Sequence, residues 1–165
     1  MVSIYFYKPK TFYGKLIHWF NGDKITHTAI KHTMEGMDVI TQAAPKQGVF
    51  ISKADLQIPP DYYVDIPWIS GKTSNEWLAQ RWGIDYSLLD ILNIAARLKP
   101  FNNRNFSGYI CSELVAEFME NAYRLEPRTA DWDEFFRNLK KYPNTAKITP
   151  QQLFDCFGNK IKEFR

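Results

Sequence analysis

The stretch Gly108-Tyr109-Ile110-Cys111-Ser112-Glu113-Leu114-Val115 decides how the chain is read, because a helix starts inside it with a cysteine in the first turn. From Cys111 to Tyr123, apolar residues fall at 111, 114, 115, 118, 119 and 122, the spacing of one helix face. Just before it, Asn102, Asn103 and Asn105 in the segment Phe101 to Gly108 favour turns, so the helix begins after them. Backbone N–H groups without helical partners and the positive end of the helix dipole favour an anion there. A thiol in that place ionises more readily and becomes a nucleophile, and the same N–H groups can hold the oxyanion formed when a thiolate attacks a carbonyl. Periodicity alone favours a plainer account, in which Cys111 is the first apolar residue of a core-facing stripe.

A nucleophilic cysteine needs a base, and the chain has three histidines, His18, His27 and His32. His18 lies on an early helix beside Trp19, where a lone histidine is usually exposed or satisfied locally. His27 and His32 are separated by an odd number of residues, so on one strand they point to opposite faces. His27 opens the apolar strand Thr28-Ala29-Ile30 at the edge of the sheet, where a side chain can reach a neighbouring helix start. It is the better base. An imidazole used in this way needs a third polar group to fix its tautomer, and the next strand offers Thr41 and Gln42.

Working outward, the pattern predicts a strand over 2–7 ended by Pro9, then a short helix from Phe12 to Phe20 stopped by Asn21-Gly22. That helix carries Phe12, Leu16, Trp19 and Phe20 at helical spacing. Three antiparallel strands follow, Thr26 to Thr33, Asp38 to Ala43 and Val49 to Ile51, separated by turns at Glu35-Gly36 and Pro45 to Gly48. Tyr62 to Ile66 is a further strand. Ser74 to Trp82 reads as a helix with Ser74 as N-cap and Gly83 as terminator, and Leu88 to Leu98 as another, ended by Lys99-Pro100. Beyond the cysteine helix come one near Asp131 to Lys140 and a last one opened by Thr149-Pro150. The class is α+β, and the absence of repeats or linkers makes residues 1–165 a single domain.

The 165 residues are 45% hydrophobic, enough for one compact core. Lys plus Arg number 21 against 18 Asp plus Glu, and these charges are scattered, without the basic stripe of a nucleic-acid binder. The short basic stretches Lys8 to Lys15 and Arg97 to Arg104 are mixed with Pro and Asn. No transmembrane segment is expected, since the most apolar stretch, Leu88 to Leu98, is interrupted by Asp90, Asn93 and Arg97. The N-terminus lacks the pattern of a signal peptide, which implies synthesis in a reducing cytoplasm with Cys111 and Cys156 as free thiols. Cys156, in Leu153-Phe154-Asp155-Cys156-Phe157, reads as a small core hydrophobe. Neither the cysteines nor the histidines fall at metal-ligand spacing, and no cofactor is implied.

Three segments together resemble a known family. His27-Thr28-Ala29-Ile30, then Val39-Ile40-Thr41-Gln42-Ala43 with Gly48-Val49, then Tyr109-Ile110-Cys111-Ser112-Glu113-Leu114-Val115, resemble the YiiX-like permuted papain-fold enzymes, relatives of the NlpC-type peptidases. Ile148-Thr149-Pro150-Gln151-Gln152-Leu153 looks like that family's closing helix start. The resemblance implies a circularly permuted papain-like fold with histidine before cysteine. It implies a cysteine hydrolase, of peptidase or amidase type, with Cys111 as nucleophile and His27 as base. The orienting residue is Gln42, because in the family that residue precedes an alanine, here Ala43. The family commonly has Glu there; an amide can orient the ring but stabilises an imidazolium less than a carboxylate does. Trp82-Gly83-Ile84-Asp85-Tyr86 resembles a family segment that makes Tyr86 a pocket residue. Tyr109, two residues before Cys111, would share its face and join the substrate site if the entry is extended; for Tyr109 and Tyr86 alike, plain packing is the alternative. The implied substrates are peptide or peptidoglycan amides. Lecithin-retinol-acyltransferase-like enzymes share the permuted order, which keeps a lipid-derived substrate open, and a non-catalytic binding or virion-type protein on the same fold is the remaining alternative. Action on peptidoglycan would require release by lysis, carriage in a phage particle or another export route. The oligomeric state is left open.

Overall fold

The computed structural model describes residues 1–86, 109–126, 130–142 and 148–164. The helix expected over 88–98, the loop 101–108 and the Phe20 side chain lie outside them. Six strands, β1 (Val2–Tyr7), β2 (His27–Met34), β3 (Met37–Ala44), β4 (Gly48–Lys53), β5 (Tyr62–Ile66) and β6 (Lys162–Glu163), form one antiparallel sheet in the order β4-β3-β2-β1-β5-β6. The described helices are α1 (Phe12–Asn21), α2 (Gly71–Ala79), α3 (Cys111–Leu125), α4 (Asp133–Leu139) and α5 (Pro150–Phe157), so the class is α+β. Strands β2 and β3 are joined through Glu35 (φ 51°) and Gly36 (φ 78°), a two-residue turn whose left-handed backbone matches the strand twist.

Strand alternation sorts the side chains onto two faces. Val2, Ile4 and Phe6 of β1, Ile30 of β2, Ala43 of β3 and Val64 and Ile66 of β5 point to the helices and build the main core with Leu114, Val115, Phe118 and Met119 of α3. Each large apolar side chain so buried contributes about 1.5–3 kcal/mol. The opposite face carries a small second cluster of Tyr7, Ala29 and Ile40. His27 stands on that face, paired in register with Tyr7, whereas His32 points to the helices.

Two helix expectations need correction. α1 begins and ends as read, with the Thr11 hydroxyl accepting from the Gly14 N–H and Gly22 in the left-handed region at its end. Two of its stripe residues, however, face outward: Phe12 and Trp19 are 75% and 76% exposed, and Ile17 and Gly14 are buried instead. The cause is close backbone approach, since a Cβ on Gly14 would stand 2.8 Å from the Thr26 Oγ1. α2 starts at Gly71, capped by Ser70, whose hydroxyl accepts from the Thr73 N–H. Ser74 lies one turn inside, buried, its hydroxyl donating to the Ser70 carbonyl, and the helix closes at Ala79, ahead of Gly83. The capping box of α5, Thr149 with Gln152, is as the Thr-Pro pair implies.

His32 is a satisfied core histidine. Its Nδ1 donates to Asn75 Oδ1 at 2.8 Å, its Nε2 accepts from the Thr41 hydroxyl at 2.8 Å, and the Asn75 amide is fixed by donating to the Thr33 carbonyl at 3.2 Å. Burial lowers its pKa against the opposing hydrogen bond to Asn75, so the fold favours the neutral ring. A depressed base binds its proton more readily unfolded; its stabilising share is full above the unfolded value of about 6.5 and is lost as pH falls through the lower folded value. The thermal midpoint is therefore expected to fall between pH 7.5 and 5, and to fall less steeply in His32→Leu, which is itself about 1–3 kcal/mol less stable through the orphaned Thr41 and Asn75 groups. Calorimetry of the two proteins across that range checks both.

Candidate active site

The first intrahelical bond of α3 runs from the Leu114 N–H to the Ile110 carbonyl at 3.1 Å, which leaves the N–H groups of residues 111–113 without helical partners. The entry is extended at Ile110, and Cys111 is the first helical residue, buried at 4% exposure. Two hydroxyls pin this first turn. Thr28 on β2 donates to the Cys111 carbonyl at 3.1 Å, and Ser112 donates to the Ile148 carbonyl at 2.6 Å, just ahead of α5. The second-turn residues Leu114 and Val115 then anchor the helix in the core.

His27, half-buried at the first position of β2, is brought beside the Cys111 thiol, close enough for each to act on the other's ionisation. Its Nε2 donates to Gln42 Oε1 at 2.7 Å, so Nδ1 is the nitrogen left to serve the sulfur. The Gln42 amide is held in turn: its Nε2 donates to Gln57 Oε1 at 3.2 Å. Thr41, its neighbour, points to the other face and serves His32. His18 is engaged elsewhere, its Nδ1 against the Asp23 carbonyl at 2.8 Å. The structure thus brings together Cys111, His27 and Gln42 and leaves out the other two histidines.

The electrostatics of the pair are mutual. Burial alone would raise the Cys111 pKa, but the charge of His27, its hydrogen bond, and the backbone N–H groups of Thr28 and Ser112 turn the shift downward. Burial alone would lower that of His27, and the thiolate beside it, with the hydrogen bonds to Cys111 and Gln42, turns it upward. Both shifts favour thiolate and imidazolium over the neutral pair. Cys156 is the internal contrast: burial, and then Asp155, push its thiol up to about 11.

A cavity of about 340 Å³ opens on this site, with His27, Gln42 and Gln57 in its wall. Aromatic and aliphatic groups, Tyr7, Tyr13, Ile17, Phe50, Ile58 and Tyr86, supply most of the rest, and Lys8 and Lys10 stand along one side. Tyr86 is close enough for burial, and then the Cys111 charge, to raise its phenol pKa. Tyr109 behaves differently from expectation. It is not part of the cavity wall; its hydroxyl donates to Glu117 Oε2 at 2.6 Å, and burial followed by that carboxylate pushes its pKa up to about 12. Strand alternation does not carry across the start of a helix, so the residue two before Cys111 turns back along α3. Gln57 is the site residue that sequence reasoning missed, since it sits at the end of a short 3-10 turn (Ala54–Leu56) that no motif marks.

One splice ties β4 to the cysteine. The Val49 N–H donates to the Ile84 carbonyl at 2.8 Å, the Gly83 N–H to the Val49 carbonyl at 2.9 Å, and the Tyr109 N–H to the Asp85 carbonyl at 2.8 Å. Gly48 makes room for it: a Cβ there would meet the Ile84 oxygen at 2.3 Å, and its φ of +67° suits glycine. Among the described residues there is no cluster of His, Cys, Asp and Glu able to hold a metal ion, and no helix long and apolar enough to cross a membrane. No protein-family model matches the sequence, and no curated protein matches it.

Gly48→Ala is expected to lower the unfolding free energy by about 1–3 kcal/mol, measured by urea denaturation, because strain and a backbone clash fall on the same residue. Thr28→Val, which keeps the shape and removes the hydroxyl, should cost less, about 1 kcal/mol.

Proposed function

We propose that this chain is a cysteine hydrolase of the permuted papain-like type, cleaving amide bonds of peptide or peptidoglycan substrates through a thioester. The observation that carries the reading is the line Cys111–His27–Gln42, with the thiol at a helix start and the ring's far nitrogen held at 2.7 Å by an amide oxygen. The chain order, histidine on an early strand and cysteine on a later helix packed on the same sheet, supports the permuted assignment.

In this reading the Cys111 thiolate attacks the substrate carbonyl carbon, and the carbonyl electron pair moves onto oxygen. The unpartnered N–H groups at the start of α3 receive that oxyanion. As the C–N bond breaks, the Nδ1 proton of His27 passes to the departing nitrogen. The neutral ring then takes a proton from water, which attacks the thioester and releases the acid and the thiolate. Gln42 holds the ring by its Nε2–H throughout and carries no charge of its own. A second reading, an acyltransferase or esterase acting on a lipid-derived substrate, is favoured by one feature: the wall of aromatic and aliphatic side chains around the site.

Iodoacetamide at about pH 6, followed by peptide mapping, should modify Cys111 at least about tenfold faster than Cys156, and His27→Ala should slow the reaction at Cys111. Equal labelling of the two cysteines, insensitive to His27→Ala, sinks the hydrolase in favour of a binding protein. A library of peptides, muropeptides and N- and O-acyl lipids, screened with the wild type and Cys111→Ala, separates the two substrate classes.

A further inference from the structure

We propose that Gln57 is a positioning residue that acts through Gln42 to hold the His27 ring in the charged form, an inference that rests on Cys111 and His27 being the reacting pair. An amide has one accepting end and one donating end. Gln42 turns its accepting end to His27 Nε2, at 2.7 Å, and its donating end to Gln57 Oε1, at 3.2 Å. An imidazolium carries a proton on both nitrogens and needs an acceptor beside each. Here the sulfur serves one nitrogen and the Gln42 oxygen the other. If Gln42 turned over, its NH₂ group would face Nε2, an arrangement that suits only a neutral ring with a lone pair there.

Gln57 accepts from the far end of the amide, which in our proposal favours the arrangement with the oxygen on Nε2. Its own backbone is anchored, with its N–H donating to the Ala54 carbonyl at 3.2 Å to close the turn after β4. Both side chains lie in the cavity wall, and among the hydrogen bonds described for the Gln42 side chain these two are the whole set. An acid is the simple way to support an imidazolium; here two amides in series stand in its place, the outer one accepting from the inner in the arrangement that leaves the Gln42 oxygen on Nε2. A glutamate at 57 could only accept, so it would exclude the turned-over arrangement. A methionine, of similar length and without a donor or acceptor of comparable strength, would leave Gln42 unbiased.

The test follows the alkylation rate of Cys111 by iodoacetamide from about pH 4 to 9, read site by site by peptide mapping, with His27 ¹⁵N chemical shifts to report the ring's charge and tautomer. The wild type should hold a thiolate plateau that begins well below the ordinary thiol value of about 8.5. In Gln57→Met the plateau should narrow from both sides, and the rate near pH 5.5 should drop about threefold to tenfold, the worth of one hydrogen bond in the line. Gln57→Glu should keep the plateau and carry the ring's charged form to higher pH. In a Gln42→Met background, Gln57→Met should change nothing further.

A Gln57→Met profile that overlays the wild type overturns the inference, as does an equal shift in the Gln42→Met background, which would mean that Gln57 acts by another route. A wild-type thiol that titrates near 8.5 overturns both the inference and the hydrolase. If Gln57→Met moves the plateau as expected while no library member is cleaved, the inference stands and the hydrolase reading fails.

Discussion

The two hydroxyl bonds at the start of α3 are the constraint on which the rest of the site depends. Thr28 holds the Cys111 carbonyl from the sheet, and Ser112 holds the Ile148 carbonyl from the side of α5. Both donors are completely buried, so the bonds face no competition from water. With the first turn fixed between sheet and helix, the sulfur has one place to be, at the end of β2, and His27 opens that strand. The core contacts of Leu114 and Val115 immediately behind set the helix axis. Packing and polar pinning therefore position the thiol together.

The charge balance of the site is unusual in having no carboxylate in the line. The thiolate and the imidazolium stabilise each other, and the neutral amides of Gln42 and Gln57 supply direction instead of charge. Two consequences follow from elementary electrostatics. A thiolate–imidazolium pair is overall neutral, so enclosing it beside a largely apolar cavity costs less than enclosing a lone charge. Its strength also depends on keeping the two partners in contact, which returns the burden to the pinned helix start.

Much of this was legible in the sequence, for identifiable reasons. The odd spacing of His27 and His32 put them on opposite faces, and the 111–122 periodicity located the helix start and hence the thiol. Thr41 and Gln42, as strand neighbours, had to point to opposite faces, so only one of them could reach His27; that the other serves His32 came from the structure. Other features were not legible. A helical stripe shows which residues share a side but not whether that side docks, and in α1 Phe12 and Trp19 face outward while Gly14 and Ile17 make the contact. Ser70 and Ser74 are both plausible caps one turn apart; the structure uses Ser70, and Ser74 lies buried with its hydroxyl on the Ser70 carbonyl. Gln57 carries no motif; its place is set by the turn geometry after β4 and by what β3 presents opposite it. β6 has two residues, too few for any period.

The splice between Gly83–Ile84 and Val49 also changes the character of the sheet's rim. β4 is an outermost strand, with backbone groups that would otherwise be open to another chain, and outer strands of that kind invite stacking between molecules. Here the Val49 N–H and carbonyl are already taken by Ile84 and Gly83, and the far rim ends in the two-residue β6, made of the charged pair Lys162 and Glu163. A connection that leads to Cys111 therefore also covers part of the sheet's edge, and loosening it at Gly48 would leave the Val49 backbone groups open to another strand.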